Sequence, residues 1–412
     1  MTRQRTDSTG SDRTAELAMW ELRRSIAVAL AATAAGLSAL LIGALWFGGF
    51  PSLKRDGTIT VSTLFEVLKL IFAIVAGVGG VFALVVAYRK QRVAEHAHRL
   101  AEADAVRSDV RLFNERFSAA GDQLGSEQAA VRLAGLYSLA GLADDWPQGR
   151  QTCIDVLCAY VRLPSPDVTA EHDSPGRQEL QVRASAFDII ARRLRPGAET
   201  SWQGHRFDFS RSRVRDGDFT GIHVTGETVL LFTECAFSGD RLTFQDMVLD
   251  GGIIDFADSA FDHGMLTFAN AHLKLGTLDF RRCGFSGGTL ALVAATFDGA
   301  DVIFDGSGMR DGVITFGGTT DEEGQRALRG SVFAAGRVSL RRFGGRGGQI
   351  RFDDTAFSGG LVDLSDSVFD GTEVFLNDAR EWRRPPVYTH DVYRNPGFHL
   401  PPQSRRSTSR AD

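Results

Sequence analysis

The sequence predicts a three-part fold: a two-helix transmembrane hairpin, an α-helical connector, and then a β-solenoid. Three observations predict it. Two long stretches near the start, 26–50 and 70–88, carry no charged residue. A central stretch places its apolar residues at the three-to-four spacing of helices. From Phe232 onward, Phe or Leu recurs every twelve residues, and a fixed period of this kind marks a repeat architecture.

Composition sets the outer limits. The chain has 412 residues, 46 Lys plus Arg against 51 Asp plus Glu, and a formal net charge of −5. At 24% charged and 43% hydrophobic it is neither disordered throughout nor uniformly membrane-embedded. A mildly acidic balance gives no global positive field, so direct nucleic-acid binding is not expected. The four cysteines (Cys153, Cys158, Cys235, Cys283) fit neither a disulfide scaffold nor a zinc spacing. Residues 201–380 hold 28 of the 45 Gly and 20 of the 29 Phe. That block has 26 acids and 17 bases, a charge of −9, and the remainder has 25 acids and 29 bases, +4.

Residues 1–24 read as a disordered N-terminus and 25–90 as the hairpin, with spans at about 26–50 and 67–88. Each run is long enough to cross ~30 Å of hydrocarbon as a helix. The connection is short, so the spans are antiparallel neighbours. Small residues at spacing four (Ala32 and Gly36, Ala73 and Gly77, Ala76 and Gly80) allow close helix approach in lipid. Arg3, Arg5, Arg13, Arg23 and Arg24 precede the first span, and Arg89, Lys90, Arg92 and Arg99 follow the second. The loop between has Lys54 and Arg55, with Lys69 at the membrane edge. Both termini are therefore expected in the cytoplasm. A cleaved signal peptide fits less well, since the apolar run is longer than a usual signal core and a second span follows at once.

Residues 91–198 read as a cytoplasmic helical connector. Residues 86–122 continue the second span as a helix. His96 and His98, two apart, point away from each other and make a poor metal pair. Val131, Leu133, Leu136, Leu139 and Leu142 form one apolar face, and Trp146-Pro147 ends that helix. A second helix runs from about 149 to 161, with Cys153, Val156 and Tyr160 on one face and Cys158 off it. A third runs from about 178 to 194. The pattern is that of a HEAT-like or armadillo-like helical hairpin. Asp144-Asp145 reads as a helix-ending turn rather than an acid/base pair.

The β-solenoid is expected over 201–380. Three columns repeat at twelve. The first runs from Phe232 to Leu376 and is always Phe or Leu. The second lies two residues earlier, from Leu230 to Val374, broken by Arg326. The third lies five residues after the first, from Phe237 to Phe369, broken by Asp321 and Gly345. Small residues such as Cys235, Ser259, Cys283 and Ser307 sit two before the third column. Residues two apart turn to one face of a strand, and Gly and Asp supply the corners. Columns in register are buried only by stacking coil on coil. The alternating spacing of five and seven gives four faces and 24 residues per coil. A flattened helix of 12 residues per coil is the alternative, in which two Phe per coil crowd a narrow interior. At 24, about six coils rise about 29 Å at ~4.8 Å each. The segment 319–326 is expected to keep a coil's length but bulge, with Arg326 outward. Phe207 and Phe219, twelve apart, read as a looser first coil. Residues 381–412, Pro-rich and basic, read as a mostly disordered tail.

The segments VLKLIFAIVAGVGGVFALVVAYRKQR (67–92), RLFNERFSAAGDQLGSEQAAVRLAGLYSLAGLADDWPQGRQTCIDVLCAYVRLP (111–164), SWQGHRFDFS (201–210) and the FSGGTL-type dodecads resemble the actinobacterial, Streptomyces-type membrane-anchored pentapeptide-repeat proteins. The resemblance covers roughly 64–380. It implies a right-handed quadrilateral β-helix and a membrane setting, and no established activity or functional residue. The repeats contain few A-D/N-L-x-x units, a departure from the family's pattern.

A search for chemistry finds no P-loop, HExxH or GxSxG. GRGGQ (345–349) falls in the repeat register, Asp353-Asp354 lie at outward corner positions, and His263 and His272 stand on different corners. No catalytic, cofactor-binding or metal residue is expected, and no cofactor. The reading is a non-enzymatic scaffold or protein-interaction module in the cell membrane, multi-pass, with its β-helix on the cytoplasmic side. Its partners are the lipid bilayer and a protein that the sequence does not identify. Two alternatives stand beside it: an acidic rod mimicking DNA toward a protein such as a topoisomerase, and an extracellular surface rod.

Overall fold

The structure is a computed structural model. It describes scattered positions between 24 and 46, and then residues 61–164, 174–320, 326–389 and 396–401. The chain divides into two units, Met1–Ser108 and Asp109–Asp412. The described positions of 24–46 are helical and exposed, but most of the first predicted span lies outside the described residues, as do most of the N-terminus, the 321–325 segment and the end of the tail.

One helix, α1 (Val61–Leu124), runs 64 residues without a break. It contains no proline and no stop signal before Gly125, so nothing interrupts its hydrogen-bond ladder. The predicted second span and the predicted helix 86–122 are thus one element. It is long and apolar enough to cross a membrane, and Phe65, Phe72, Val75 and Leu84 of its apolar part are exposed.

Within the second unit, three helices follow: α2 (Ala129–Asp145), α3 (Arg150–Arg162) and α4 (Ser174–Leu194). Phe113, Phe117 and Leu124 pack against their core, and Phe113 closes over Gly149, where a Cβ would meet its ring at 2.5 Å. Leu136, Leu139 and Leu142 are buried as the spacing predicts. Cys158 is buried too, although it lies off the face that carries Cys153 and Tyr160. The reason is that α3 packs on α2 and α4 on one side and on strand Arg206–Asp208 on another.

From residue 206 the chain winds into a parallel β-solenoid of about eight turns. One sheet path has eight rungs and so does the other. Register fixes the coil length. Leu230 pairs with Ile254, Ile254 with Leu278, and Leu278 with Val302, each 24 residues on. Each coil has four inward segments, as at 229–231, 236–237, 241–243 and 248–249. Twelve residues are therefore half a coil. Seven steps of ~4.8 Å carry the stack about 34 Å.

The columns face inward. Every first-column residue from Phe232 to Leu376 is fully buried except Leu328. The rings stack as ladders: Phe232, Phe256, Phe280 and Phe304 follow at 5.1, 4.9 and 4.9 Å. A second ladder, Phe219, Phe244 and Phe268, runs at 4.9 and 5.0 Å. The two ladders meet edge to face, Phe232 on Phe244 at 6.1 Å and 89°. Parallel stacking along the axis and T-shaped contact across it are the two arrangements that the ring quadrupole favours.

Three expectations are corrected. First, residues 319–328 do not keep a place in the stack. Val302 pairs with Val338 and Ile314 with Ile350, 36 residues on instead of 24. The extra twelve leave the coil as an antiparallel pair of strands, Thr319–Thr320 and Arg326–Leu328, so Leu328 is only half-buried. The period survives because the excursion has the length of half a coil. Second, the centre of the first coil is Phe209, not Phe207: Phe207 pairs with Leu230 in the second column. Third, the stack continues past 380. Val374 pairs with Phe398, Glu381–Trp382 pairs with Ala356–Phe357, and Phe398 and Leu400 are buried.

Candidate interaction surface

The amino-terminal end of the stack is closed by α4. Phe187 lies on the first rings, 5.0 Å from Phe209 and 5.6 Å from Phe219. Asp144, at the end of α2, accepts from Trp202 Nε1 at 2.8 Å and from Arg193 Nε at 2.9 Å, and the Arg193 guanidinium lies 4.7 Å over the Trp202 ring. Asp144 thus ties two helices to the first coil, a role beyond the helix-ending turn that its neighbourhood predicts. Asp145 pairs with Arg116 at 3.0 Å.

Two kinds of corner shape the outside. Among the described residues ten that are not glycine, including Glu234, Asp258, Arg282 and Asp366, turn the chain with φ between 54° and 62°, each two residues after a first-column Phe or Leu or its equivalent in the first coil. At some of these corners a serine of the next coil fills the turn. Ser259 Oγ donates to the Phe232 carbonyl at 2.8 Å and accepts from Cys235 N–H at 3.0 Å. Ser307 does the same for Phe280 and Cys283, Ser331 for Leu292 and Ala295, and Ser367 for Leu340 and Phe343. Where the next coil offers alanine instead, the turn closes on itself: Met247 N–H reaches the Phe244 carbonyl at 3.3 Å and Ala271 N–H the Phe268 carbonyl at 3.1 Å. The small-residue column is therefore a hydrogen-bonding device.

This places two of the cysteines. Cys235 and Cys283 donate S–H to the carbonyls of Phe209 and Phe256 at 3.2 and 3.1 Å. Burial pushes the Cys283 thiol up to about 12 and the Cys153 thiol up to about 11, and raises Cys235 and Cys158 as well. All four are free, and at neutral pH they are uncharged thiols with no nucleophilic character.

Outward charges pair between coils. Arg282 meets Asp258 at 2.6 Å, Arg211 meets Glu234 at 3.3 Å, and Arg341 meets Asp366 at 2.9 Å. The hydrogen bonds from Arg282 hold the Asp258 carboxyl below its ordinary value. Asp255 moves the other way: burial raises it, outweighing the Ala257 N–H bond, and the Asp279 charge adds to the rise.

The residues singled out for chemistry serve the scaffold. Asp353 accepts from Arg351 at 2.7 Å, and Asp354 accepts from Gly330 N–H at 3.1 Å. Gly345 lies inside beneath Thr372, and Gly348 turns a corner at φ 77°. His272 lies 3.6 Å from Asp298, His263 sits at a different corner, and His98 pairs with Glu102 on α1. Among the described residues no three His, Cys, Asp or Glu groups gather as a metal site.

An open groove of about 710 Å³ lies between α4 and the first coils, lined by Gln181, Ser185, Asp188, Asp216, Asp218 and Arg241 among others. Its carboxylates are committed. Asp188 pairs with Arg192 at 2.6 Å, Asp216 accepts from Asp240 and Arg241 N–H, and Asp218 accepts from Thr220 N–H at 2.8 Å. Burial alone raises Asp218, but its bonds to Thr220 and the charges of Arg195 and Arg241 win and lower it. The groove is a concave surface that carries charge of both signs. The class defined here is a β-solenoid repeat protein with a helical cap. No protein-family model matches the chain, and neither a curated protein nor a solved structure matches it.

Proposed function

We propose that this chain is a non-enzymatic scaffold or interaction module that holds a rigid β-solenoid at the cytoplasmic face of a cell membrane. The observation that carries the reading is the division of labour in the stack. Apolar columns are sealed inside, and many outward polar groups tie coil to coil, so the surface is fixed in shape. In this reading α1 supplies one of two spans and the 26–50 run the other, with both termini in the cytoplasm. The resemblance to membrane-anchored pentapeptide-repeat proteins belongs to the same proposal. Ion pairing between coils speaks against the DNA-mimic alternative, because paired bases break up a single-sign field.

Reporter fusions after Asp412 and after Arg55 test the placement: the first active only in the cytoplasm and the second only outside is the expected pattern. An outside reporter at Asp412 overturns it. For the interaction role, co-purification from native membranes is compared between the wild type and an Asp216→Lys/Asp218→Lys variant. Loss of a specific partner with an unchanged β-sheet spectrum is expected if the groove is the contact, and an identical partner set removes the groove from the proposal.

A further inference from the structure

One face of the stack departs from the pairing of outward charges between coils. It is built from the segments at 236, 260, 284, 308, 344 and 368, which follow one another in parallel register. Two residues on from the middle four lie Asp262, Ser286, Arg310 and Arg346 in turn; two before them lie Asp258, Arg282, Gly306 and Arg342. Asp258 and Arg282 pair with each other. Among the described residues Arg310, Arg342 and Arg346 have no carboxylate partner, and all three are exposed. Arg310 and Arg346 follow Met309 and Gly345, which pair, so two like charges lie on adjacent coils. Like charges side by side on a sheet cost stability.

Between these two rims the floor of the face is glycine. Gly284, Gly308 and Gly344 do not have positive φ. A Cβ on Gly284 or Gly344 would meet nothing within 4 Å, and one on Gly308 only the Gly344 carbonyl oxygen at 3.6 Å. On other coils the same column carries Ala236, Ala260 and Val368. The coil therefore does not require glycine here, and glycine inside a strand weakens it. What the bare strands provide is room for another backbone to come close.

We infer that this face docks on the same face of a second copy, turned end for end. A two-fold axis along the strands, between the Gly284 and Gly308 coils, reverses the order of the coils and keeps each column over itself. Asp262 then meets the second copy's Arg346, and Asp258 its Arg342, each twice by symmetry. Arg310 meets Ser286 and has Asp262 one coil away. Gly284 lies over Gly308, Ala260 over Gly344, and the exposed Val368 over Ala236. Glu234 falls against Asp366, but these two are already held by Arg211 and Arg341. An axis along the stack would instead set Arg342 against Arg346, Asp258 against Asp262 and Asp366 against Asp370. Charge therefore selects the antiparallel pair. A long polyanion fits the face poorly, since Asp262 and Asp370 stand at either end of the basic stretch. Six rungs give a contact about 29 Å long at ~4.8 Å per rung. That is small beside the interfaces of stable dimers, so the association depends on concentration.

The test uses the full-length chain in detergent, with protein mass measured by light scattering over a hundredfold concentration range up to about 0.1 mM. The wild type should rise toward twice the monomer mass, and less so at high salt, which screens exposed ion pairs. Arg346→Asp and Asp262→Arg should each stay at monomer mass alone. Mixed in equal amounts they should associate, because each then supplies the charge that the other lacks. A contact elsewhere, through α1 included, would leave both variants at the wild-type mass. That result overturns the inference, as does a wild type or a mixture that stays monomeric. If either charge variant loses its β-sheet spectrum, Gly284→Val/Gly308→Val decides. Valine already occupies this column at 368, so the fold should hold while the two floors are kept apart. Monomer mass then supports the inference and wild-type mass ends it.

Discussion

The two kinds of corner solve one problem in different ways. At the corner that follows a first-column ring, the chain turns through a single residue with positive φ, and Asp, Asn, Arg, Glu and Ala all occupy it. Gly306 holds that place in its own coil, and a Cβ there would meet only the Arg282 Cγ, at 3.7 Å. At the alternate corner the neighbouring coil is in the way. A Cβ on Gly264, φ 75°, would lie 1.8 Å from the Gly239 carbonyl oxygen. The first corner therefore costs local strain, about 1 kcal/mol for a non-glycine residue, and the side chain escapes outward. At Gly264, Gly276, Gly288 and Gly312 a carbonyl oxygen of the preceding coil stands within 2.7 Å of where a Cβ would lie, and there only glycine fits. Positive φ alone does not dictate glycine; the approach of the adjacent coil does.

Substitutions can break or sharpen this contrast. The ceiling is set between corners, where Phe280→Asp buries an unpaired carboxylate in the ring ladder. It should cost several kcal/mol and abolish the cooperative melt of the solenoid by circular dichroism. Gly264→Ala is next: with backbone as the obstacle, a loss of about 3 kcal/mol or more is expected in denaturant unfolding, and a loss under 1 kcal/mol would mean that the coil spacing yields easily. Ser307→Ala should cost only about 1 kcal/mol, because the Phe280–Cys283 turn can close directly, as the Phe244–Met247 turn does. Gly306→Asn should change stability by no more than about 0.5 kcal/mol, since asparagine tolerates this backbone. The smallest effect is a gain. Asp255→Asn removes a charge that the fold disfavours while its amide oxygen still accepts from Ala257. The folded-state pKa of Asp255 is raised, so its penalty is present at neutral pH and fades as pH falls through that pKa toward the ordinary carboxylate value. The variant should be a few tenths of a kcal/mol more stable at pH 7, after allowance for solvent screening, and no different from the wild type at the acid end of that window.

Much of this was legible in sequence because the solenoid repeats its own logic. The Phe and Leu columns, the alternation of five and seven, and the small column with its cysteines all lie where the twelve-residue count puts them. Other features were hidden for physical reasons. Tyr388 and Leu400 extend the first column by twelve and twelve again, but the prolines and bases around them give the composition of a solvated tail. The burial of Cys158 depends on a strand packing against α3, which no single-helix pattern contains. Asp144 reads as a helix end because its partners, Arg193 and Trp202, come from 49 and 58 residues away. The groove has no motif at all, since α4 and the first coils meet there only in the fold.

The strands at 319–328 carry a wider consequence. Two halves of a coil are nearly interchangeable, so a segment of half-coil length can be spliced out into solvent without shifting any later ring. Such a chain has, in effect, a reading frame of twelve. Decoration added in that quantum changes what the exterior shows while the interior goes on as before, and the twelve-residue count of the sequence runs across it unbroken.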